Sequence, residues 1–305
     1  MYERRSTTNM NSLVSIIIPH WSPPGNPKGR EALMKCLDSV FRQTYSFLEV
    51  IVINNEGKGV WAEEVGRKYP KARWIHNAEN RFFTGAMNQG ISIARGEWVF
   101  SVNNDVVLSA NFIEKLIRGI PSDGKIGMAC GLLLRNEGGI IDSAGQSLGF
   151  AKNPRERGHG EIFRGQYQNI EEVFSAPGAC GLYHRGMLQE IALGPGEYFD
   201  GTFGLFYEDL ELAWRGRKKG WKALFVPQAA AYHARGLTTK SSTPRWPWLG
   251  RFQAAYLSRE NLDRLIRNRA ATLHRHCRFR DRALHWPWIV SYDLGLYFLR
   301  RITFK

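Results

Sequence analysis

Short runs of β-branched and other apolar residues alternate with segments of helical periodicity in the first part of this chain. Val14–Ile18 is one such run, and the segment Arg30–Arg42 after it places Leu33, Leu37 and Val40 on one helical face. The same alternation predicts strands at Val50–Ile53, Arg73–His76 and Trp98–Val102, and helices at Trp61–Tyr69 and Thr84–Ala94. This order is typical of an α/β protein with a mostly parallel sheet built from βαβ units.

Polar residues follow three of these predicted strands. They are Pro19-His20, Asn54-Asn55 and Asn103-Asn104-Asp105. Because ligands of parallel α/β sheets bind beyond the carboxyl ends of the strands, we expect these three segments to form one site.

The pattern changes after residue 125. The sequence predicts strands at Ile126–Leu134, Ala179–His184 and Ala223–Val226, a helix at Tyr207–Lys219, and loops at Pro154–Gly165 and Pro227–Pro244. From Arg245 onward, thirteen Lys or Arg residues stand against four Asp or Glu residues. We therefore expect an α/β domain at residues 1–243 and a basic, tryptophan-rich helical extension at residues 244–305.

Charge and cysteine content limit the classes of protein. The formal net charge of +14 requires an anionic partner, for which nucleic acid, an anionic membrane face and a phosphorylated substrate all qualify. The four cysteines form no CxxC pair, which favours reduced thiols and a cytoplasmic location. Neither a signal peptide nor an apolar run of spanning length is evident, so we expect a protein that is free in the cytoplasm or lies on a membrane.

The densest cluster of acids is Glu208-Asp209-Leu210-Glu211. Glu208 and Asp209 fit the first turn of a helix, where the macrodipole favours anions, and Glu211 can pair with Arg215. The same carboxylates can also serve as a catalytic base. Asp105, at a strand end, is either a turn residue or a ligand for a divalent cation.

His233 and two further segments leave similar alternatives open. His233 is either a structural histidine or a metal ligand. The segment Asn80–Gly90 is either a plain loop with Thr84 as a helix cap, or an anion site at the helix start. The loop Arg235–Ser242 is a solvated linker or a lid over phosphates.

Taken in order, these segments resemble the family 2 glycosyltransferases with a GT-A fold, in particular the branch of bacterial rhamnosyltransferases. The resemblance covers residues 13 to 243. The matching stretches are Val14–Pro19, Cys36–Val40, Gln43–Tyr45, Val50–Asn55, Gly85–Gly90, Asn103–Asp105, Gly178–Gly181, Phe206–Asp209 and His233. Each stretch is weakly specific alone, whereas their number and order are highly specific.

The resemblance implies a role for each matched position. Asp105 and His233 would hold Mg²⁺ or Mn²⁺, and the Glu208-Asp209 pair would supply the base, with Asp209 as the base itself. The residues implied in nucleotide-sugar binding are Pro19, His20, Asn54, Asn80, Gly85, Asn88, Asn103 and Asn104.

This sequence departs from the family pattern at three places. Asn54 stands where the family usually has aspartate. The triplet begins Asn103-Asn104, so one carboxylate remains for the metal and His233 gains importance. The loop Trp21–Gly29 is longer than the usual turn.

The implied activity is an inverting, metal-dependent transfer of a sugar to a hydroxyl of a glycan or lipid-linked acceptor. The sugar expected first is rhamnose from a dTDP donor, otherwise the sugar of a UDP donor, and the expected process is cell-envelope polysaccharide synthesis. A basic nucleic-acid-binding protein and a sugar nucleotidyltransferase are the alternatives. The first explains neither the three polar strand ends nor the Glu-Asp segment, and we expect no nucleic-acid partner. The second usually has a glycine-rich basic loop directly after the first strand, where this chain has Pro-His-Trp-Ser-Pro-Pro.

The extension is either a pair of helices packed on the domain or an interfacial membrane segment on the inner face of the cytoplasmic membrane. We expect two helices separated near Arg278–His285. The apolar side would be Ile289, Val290, Leu294, Leu296, Tyr297, Phe298 and Leu299, with Trp286, Trp288, Arg300, Arg301 and Lys305 as anchors.

Overall fold

The computed structural model of the chain describes residues 10–23, 26–122, 124–135, 139–234, 254 and 257–304. The first elements are β1 (Val14–His20), α1 (Pro27–Phe41), β2 (Leu48–Asn54), α2 (Val60–Lys68), β3 (Ala72–His76), α3 (Phe82–Ile93), β4 (Trp98–Val102), β5 (Val106–Leu108) and α4 (Phe112–Arg118). Then follow β6 (Ile126–Arg135), β7 (Ile141–Ser143), β8 (Gln146–Leu148), β9 (Pro154–Glu156), β10 (Glu171–Val173), β11 (Cys180–His184), α5 (Arg185–Glu190), α6 (Glu208–Lys218), β12 (Lys222–His233), α7 (Arg259–His276) and α8 (Phe279–Thr303).

One mixed sheet organises the described residues. Its strands run in the order β10-β12-β6-β11-β4-β1-β2-β3, with β5 beside β12 and β7 beside β6. Strands β3, β2, β1 and β4 are parallel, as are β6 and β12. Strand β11 is antiparallel to both β4 and β6 and joins these two parallel groups. The mostly parallel sheet predicted from the sequence is therefore confirmed.

Alternation along β1 explains why helices cover both faces of the sheet. Ile16 and Ile18 are fully buried in the core that includes Leu33 of α1. Ile17, between them, is fully buried in the opposite core with Met87 of α3. Burying such a side chain stabilises the fold by roughly 1.5–3 kcal/mol. The run of apolar residues thus specifies a strand that is buried on both sides.

Strand β12 is longer than the sequence predicts. The expected strand Ala223–Val226 continues through Pro227 to His233, where the sequence predicts a loop, and residues 235–244 of that predicted loop lie outside the described residues. A register shift between Val226 and Ala230 accommodates the proline, which cannot donate to the ladder. The extra residues pair with β5, so that His233 lies opposite Val106.

The two C-terminal helices pack on the α/β domain and on each other. They are separated at Cys277-Arg278, and a small core of Leu257, Leu262, Leu296 and Leu299 lies between them. Leu296 and Leu299 are therefore buried, which corrects their expected place on an outer apolar side. Trp246 and Trp248 and the loop Arg235–Ser242 lie outside the described residues, as do Lys305 and part of the extended loop near Gly25.

Candidate functional site

A large cleft of about 1060 Å³ opens at the carboxyl ends of β1 and β4. It brings together most of the residues predicted from the sequence, namely Pro19, His20, Asn80, Asn103, Asn104, Asp105, Glu208, Asp209 and His233. We call the side that carries His20, Asn55, Asn103–Asp105 and His233 the strand-end wall. The second group of lining residues comprises Gln146, Gly178, Phe206–Asp209 and the first turns of α7, and we call it the turn wall.

Asp105 and His233 meet on the strand-end wall because β12 pairs with β5 directly after Asp105. The Nε2 atom of His233 lies 3.2 Å from Oδ1 of Asp105. The Nδ1 atom of the same ring lies 2.8 Å from Oδ2 of Asp142, a residue of β7 that is 1% exposed. The backbone N–H of Ala234 donates to the carbonyl of Asp105 at 3.0 Å, which ties the two segments together.

This pair fits a divalent cation. Two ligands at right angles around an ion with bonds of about 2.1 Å lie roughly 3.0 Å apart, close to the observed separation of Asp105 and His233. Asp142 completes the common arrangement in which a ligating histidine gives its other ring N–H to a carboxylate. Among the described residues no cluster of three or more His, Cys, Asp or Glu ligands is present. An ion held here therefore needs further ligands from a substrate.

The electrostatics of His233 favour a positive charge at this position. Burial opposes protonation, but hydrogen bonds and charges from Asp105 and Asp142 outweigh it and raise the pKa of His233 to about 9. In the absence of metal, a proton on His233 balances the two carboxylates. A metal ion that binds through Nε2 has to displace this proton.

His20 holds Asn104, the middle residue of the Asn103-Asn104-Asp105 triplet. Asn104 Nδ2 lies 2.7 Å from His20 Nδ1, and His20 Nε2 lies 3.0 Å from Glu56 Oε1. These partners assign the ring proton to Nε2 and the acceptor role to Nδ1. His20 is fully buried, so its effect on the cleft is to fix the Asn104 amide.

The carboxylate of Asp209 is fixed on the turn wall by three donors. Oδ2 accepts from Gly178 N–H at 3.0 Å and from Gln146 Nε2 at 2.9 Å. Oδ1 accepts from Leu210 N–H at 2.7 Å. A carboxylate has about four lone-pair positions. Oδ1 thus keeps room for one more hydrogen bond on the cleft side.

Glu208 and Asp209 are close enough to compete for a proton. Burial raises the pKa of both groups, and the charge of Asp209 adds to the rise at Glu208. Hydrogen bonds from Gly178, Gln146 and Leu210 counteract the effect at Asp209 alone. Oε2 of Glu208 has no hydrogen-bond partner among the described residues. Of the two carboxyl groups, Asp209 is therefore the one whose surroundings favour the negative charge.

An unusual backbone turn presents this pair. Phe206 and Tyr207, directly before Glu208, both have φ near 70°, the left-handed region that bulky residues rarely adopt. Such conformations cost about 1–3 kcal/mol each and concentrate at functional sites. The turn lets α6 begin at Glu208, so that the pair occupies its first turn as predicted.

Three predicted site residues do not contribute to the cleft wall formed by the described residues. The amide of Asn54 donates to Gly57 O at 2.6 Å, and its oxygen accepts from Glu56 N–H. Asn88 Oδ1 accepts from Phe199 N–H, and its Nδ2 donates to Phe199 O. Gly85 packs instead against the Arg81 side chain. The fold uses all three positions to hold turns and helix α3, and their part in nucleotide-sugar binding stays a prediction.

The neighbour of Asn54 is the strand-end residue that reaches the cleft. Side chains alternate along an extended segment, and Asn55 lies at the cleft wall with Oδ1 accepting from Asn77 Nδ2 at 2.8 Å. The predicted cap Thr84 is wrong. Helix α3 begins at Phe82, and Thr84 is fully buried inside it.

Sequence reasoning missed several residues of the cleft. Asp142, Gln146 and Glu156 come from a glycine-rich stretch without a clear period, and Arg264 and Tyr292 come from the C-terminal helices. Gly178 was part of a matched stretch, but nothing in the sequence indicated that its N–H contacts Asp209. The only signal for Asp142 was its acidic character in an apolar context.

Comparison with known proteins fits this geometry. The model of Glycosyl transferase family 2 matches residues 15–192, more than half of the chain. The chain belongs to this glycosyltransferase family. The match disfavours the alternative of a basic nucleic-acid-binding protein.

Several bacterial relatives within the family are similar over part of their length. The Bacillus subtilis protein EpsJ, named as an uncharacterized glycosyltransferase, is 33% identical over 35% of this chain and 30% of its own length. Glycosyltransferase GlyG of Streptococcus pneumoniae is 25% identical over 36% of each chain. An N-acetylglucosaminyltransferase of Bradyrhizobium diazoefficiens is 26% identical over 72% of this chain and 44% of its own. The matched region thus spans about a third of the first two relatives.

Solved structures support the fold. GalNAc-T7 with UDP, GalNAc and Mn²⁺ has a TM-score of 0.57 and 17% identity over 74% of this chain and 44% of its own. A mannosyltransferase from Pyrobaculum calidifontis with GDP-Man and Mn²⁺ has a TM-score of 0.54 and 15% identity over 98% of this chain and 90% of its own. The predicted GT-A fold with C-terminal helices is thereby confirmed. No helix in the described ranges is long and apolar enough to cross a bilayer.

Proposed function

We propose that this chain is an inverting, divalent-metal-dependent glycosyltransferase that uses a nucleotide-sugar donor. The observation that carries the proposal is the division of one cleft into two walls. The strand-end wall holds the Asp105–His233 pair, and the turn wall holds a carboxylate, Asp209, fixed by three donors. A metal-assisted leaving group and an activated hydroxyl are the two requirements of such a transfer.

The donor's diphosphate would lie beside the Asp105–His233 pair. Mg²⁺ or Mn²⁺, when bound there, neutralises the charge that develops on the leaving diphosphate. Asp142 holds the His233 ring in the orientation that presents Nε2 to the cleft. Asn104, fixed by His20, and Asn55 offer polar contacts to the nucleoside side of the donor.

Asp209 would act on the acceptor. Its Oδ1 takes the proton of an acceptor hydroxyl while the hydroxyl oxygen forms a bond to the anomeric carbon. The bond between that carbon and the diphosphate oxygen breaks on the opposite side, so the configuration inverts. Burial and the charge of Asp209 raise the pKa of Glu208, which favours a neutral Glu208 that adds no charge opposing the attack.

The sugar is proposed from the resemblance to rhamnosyltransferases. dTDP-rhamnose is the first donor to test, and UDP-sugars come next. The similar structures carry UDP with GalNAc or GDP-Man, and one relative is named for N-acetylglucosamine transfer, so the panel has to include these donors. We propose a glycan or lipid-linked acceptor in cell-envelope polysaccharide synthesis.

Helix α8 supports a peripheral location on the inner face of the cytoplasmic membrane. An outer stripe of Phe279, Trp286, Val290, Leu294, Tyr297 and Phe298 is 43–86% exposed. Trp288 is also exposed, and Arg280, Arg282 and Arg301 flank the stripe at the two ends of the helix. Aromatic and basic residues around an apolar stripe favour an anionic lipid interface. Tyr292 of the same helix lines the cleft, which would place the acceptor site close to that surface.

The experiment that tests the activity is thermal stabilisation by a panel of sugar nucleotides with Mn²⁺ or with a chelator. A true donor at a hundredfold excess over its dissociation constant stabilises the protein by about 2.7 kcal/mol. We expect this shift only with metal, followed by sugar transfer or slow donor hydrolysis. Salt-sensitive binding of DNA without any shift from sugar nucleotides would contradict the proposal.

A further inference from the structure

Helix α7 contacts the turn that presents the two carboxylates. Asn268, which is 1% exposed, directs its amide nitrogen at the carbonyls of Phe203, Leu205 and Phe206, at 2.8–2.9 Å. These carbonyls belong to the turn directly before Glu208. One side chain of the C-terminal extension therefore contacts the backbone of the turn wall at three points.

The next residue of α7 strengthens this contact. Arg269 is 2% exposed, and its guanidinium donates to Ala151 O at 2.9 Å and contacts the hydroxyl of Tyr207 at 3.3 Å. An ion pair with Asp293 of α8 balances its charge. Tyr207 is the second residue with a left-handed backbone, so Arg269 holds the side chain of the turn while Asn268 holds its main chain.

The first turns of α6 are held from the same side. His276, near the end of α7, contacts Glu211 at 3.0 Å, and its ring stacks on Trp214. Glu211 in turn pairs with Arg215. Helix α7 thus contacts the residues before and after the Glu208-Asp209 pair. Its position therefore helps to determine where the pair lies.

We propose that Asn268 is a positioning residue for Asp209. It holds the left-handed turn Phe206-Tyr207, and this turn places the Asp209 carboxylate within reach of Gly178 N–H and Gln146. The inference rests on the proposed function, since it assigns to the C-terminal helices a part in the transfer reaction besides any membrane contact. Displacement of a catalytic group by about 1 Å can cost a hundredfold in rate.

The test compares Asn268→Leu with Thr272→Val in the full chain. Leu has the same number and branching of side-chain heavy atoms as Asn268, is somewhat bulkier, and removes its donor. Thr272 is fully buried in the same helix and bonds only to the carbonyl of Asn268, so its loss reports a general weakening of α7. We expect Asn268→Leu to lower kcat by 10- to 100-fold, with the Kd for a sugar nucleotide and Mn²⁺ unchanged within twofold. Thr272→Val is expected to keep kcat within twofold.

Hydrogen exchange gives a readout that does not depend on activity. In Asn268→Leu we expect faster exchange of the backbone amides of residues 203–209 than in wild type or Thr272→Val. If kcat and this exchange both match wild type, or if Thr272→Val shows the same losses, the positioning role is overturned. If wild type transfers no sugar, the proposed function fails, and the exchange of residues 203–209 still decides whether Asn268 holds the turn.

A milder variant covers the case in which Asn268→Leu does not fold. Tyr207→Phe removes the contact with Arg269 and leaves the helix intact. We expect a loss in kcat of about 2- to 10-fold with unchanged donor binding. A kcat equal to that of wild type, together with unchanged exchange, would overturn the part of the proposal in which α7 holds the turn through Arg269 and Tyr207.

Discussion

The strand-end wall and the turn wall of the cleft are held in place by different means. On the strand-end wall, His20, Asn55 and Asp105 follow strands whose pairing with neighbours fixes where they end. On the turn wall, Asp209 depends on Gln146, Gly178 and α7, which are far apart in the sequence. The first wall is a product of the sheet, whereas the second is a product of tertiary contacts. Variants in the two walls should therefore fail in different ways.

The largest expected effect is on kcat, and it distinguishes the roles of Asp209 and Glu208 on the turn wall. Asp209→Asn removes the base but keeps the shape, so we expect kcat to fall by about 10²–10⁴-fold while donor binding persists. Glu208→Gln mimics the protonated acid inferred for Glu208, so its kcat should stay within tenfold of wild type. Rates of transfer and donor titrations measure both. If kcat fell more in Glu208→Gln than in Asp209→Asn, Glu208 and not Asp209 would be the base.

On the strand-end wall the expected loss concerns the metal instead. Asp142→Asn removes the charge that orients His233, and we expect the affinity for Mn²⁺ to fall by about 10- to 100-fold. Asp105→Ala deletes a metal ligand and should abolish metal-dependent donor binding. It therefore gives the largest loss against which Asp142→Asn is compared. Asp263→Asn, on the surface of α7, serves as the control. Equal Mn²⁺ affinity in Asp142→Asn and wild type would show that Asp142 does not support metal binding by His233.

The affinity for metal should depend on pH through the protonation of His233. The metal needs the neutral ring, and without metal the ring holds a proton below its pKa of about 9. Each ion bound below that pH displaces one proton, so the affinity should rise about tenfold per pH unit toward pH 9 and then level off. Titration with Mn²⁺ or Mg²⁺ at several pH values measures this slope. A flat profile, or the same slope after His233→Ala, would disprove the linkage.

The smallest expected effect concerns the outer stripe of α8. Leu294→Ser reduces apolar area at the centre of the stripe, and we expect a several-fold weaker partition onto anionic vesicles with unchanged donor binding. Ser291→Asn on the same helix is the matched control. Truncation of the whole extension would be uninformative, since it also deletes the α7 part of the turn wall. Equal partition of Leu294→Ser and wild type would argue against the membrane contact.

The two walls also differ in how far the sequence predicts them. Apolar, β-branched runs and period-3.6 patterns placed strands β1 to β4 and the helices between them, because these elements bury apolar faces against neighbours in the sequence. Reasoning from strand ends named Asn54 and Asn55 together and the family resemblance chose Asn54, whereas Asn55 is the one that lies at the cleft. Asp142, Gln146 and the α7 contacts lay beyond prediction, because they depend on which distant segments pack together. His233 was assigned by family resemblance, and only the bulged extension of β12 explains how it reaches Asp105.

The position of β12 in the sheet has a consequence for how the protein is made. Strand β6 lies between β11 and β12, and the 86 residues 136–221 separate the end of β6 from the start of β12. During synthesis, one edge of β6 remains without its parallel neighbour until residue 233 has emerged, and open strand edges invite pairing with other chains. Binding of a chaperone to the nascent chain would matter most in this interval, and a pause in translation before residue 222 would lengthen it.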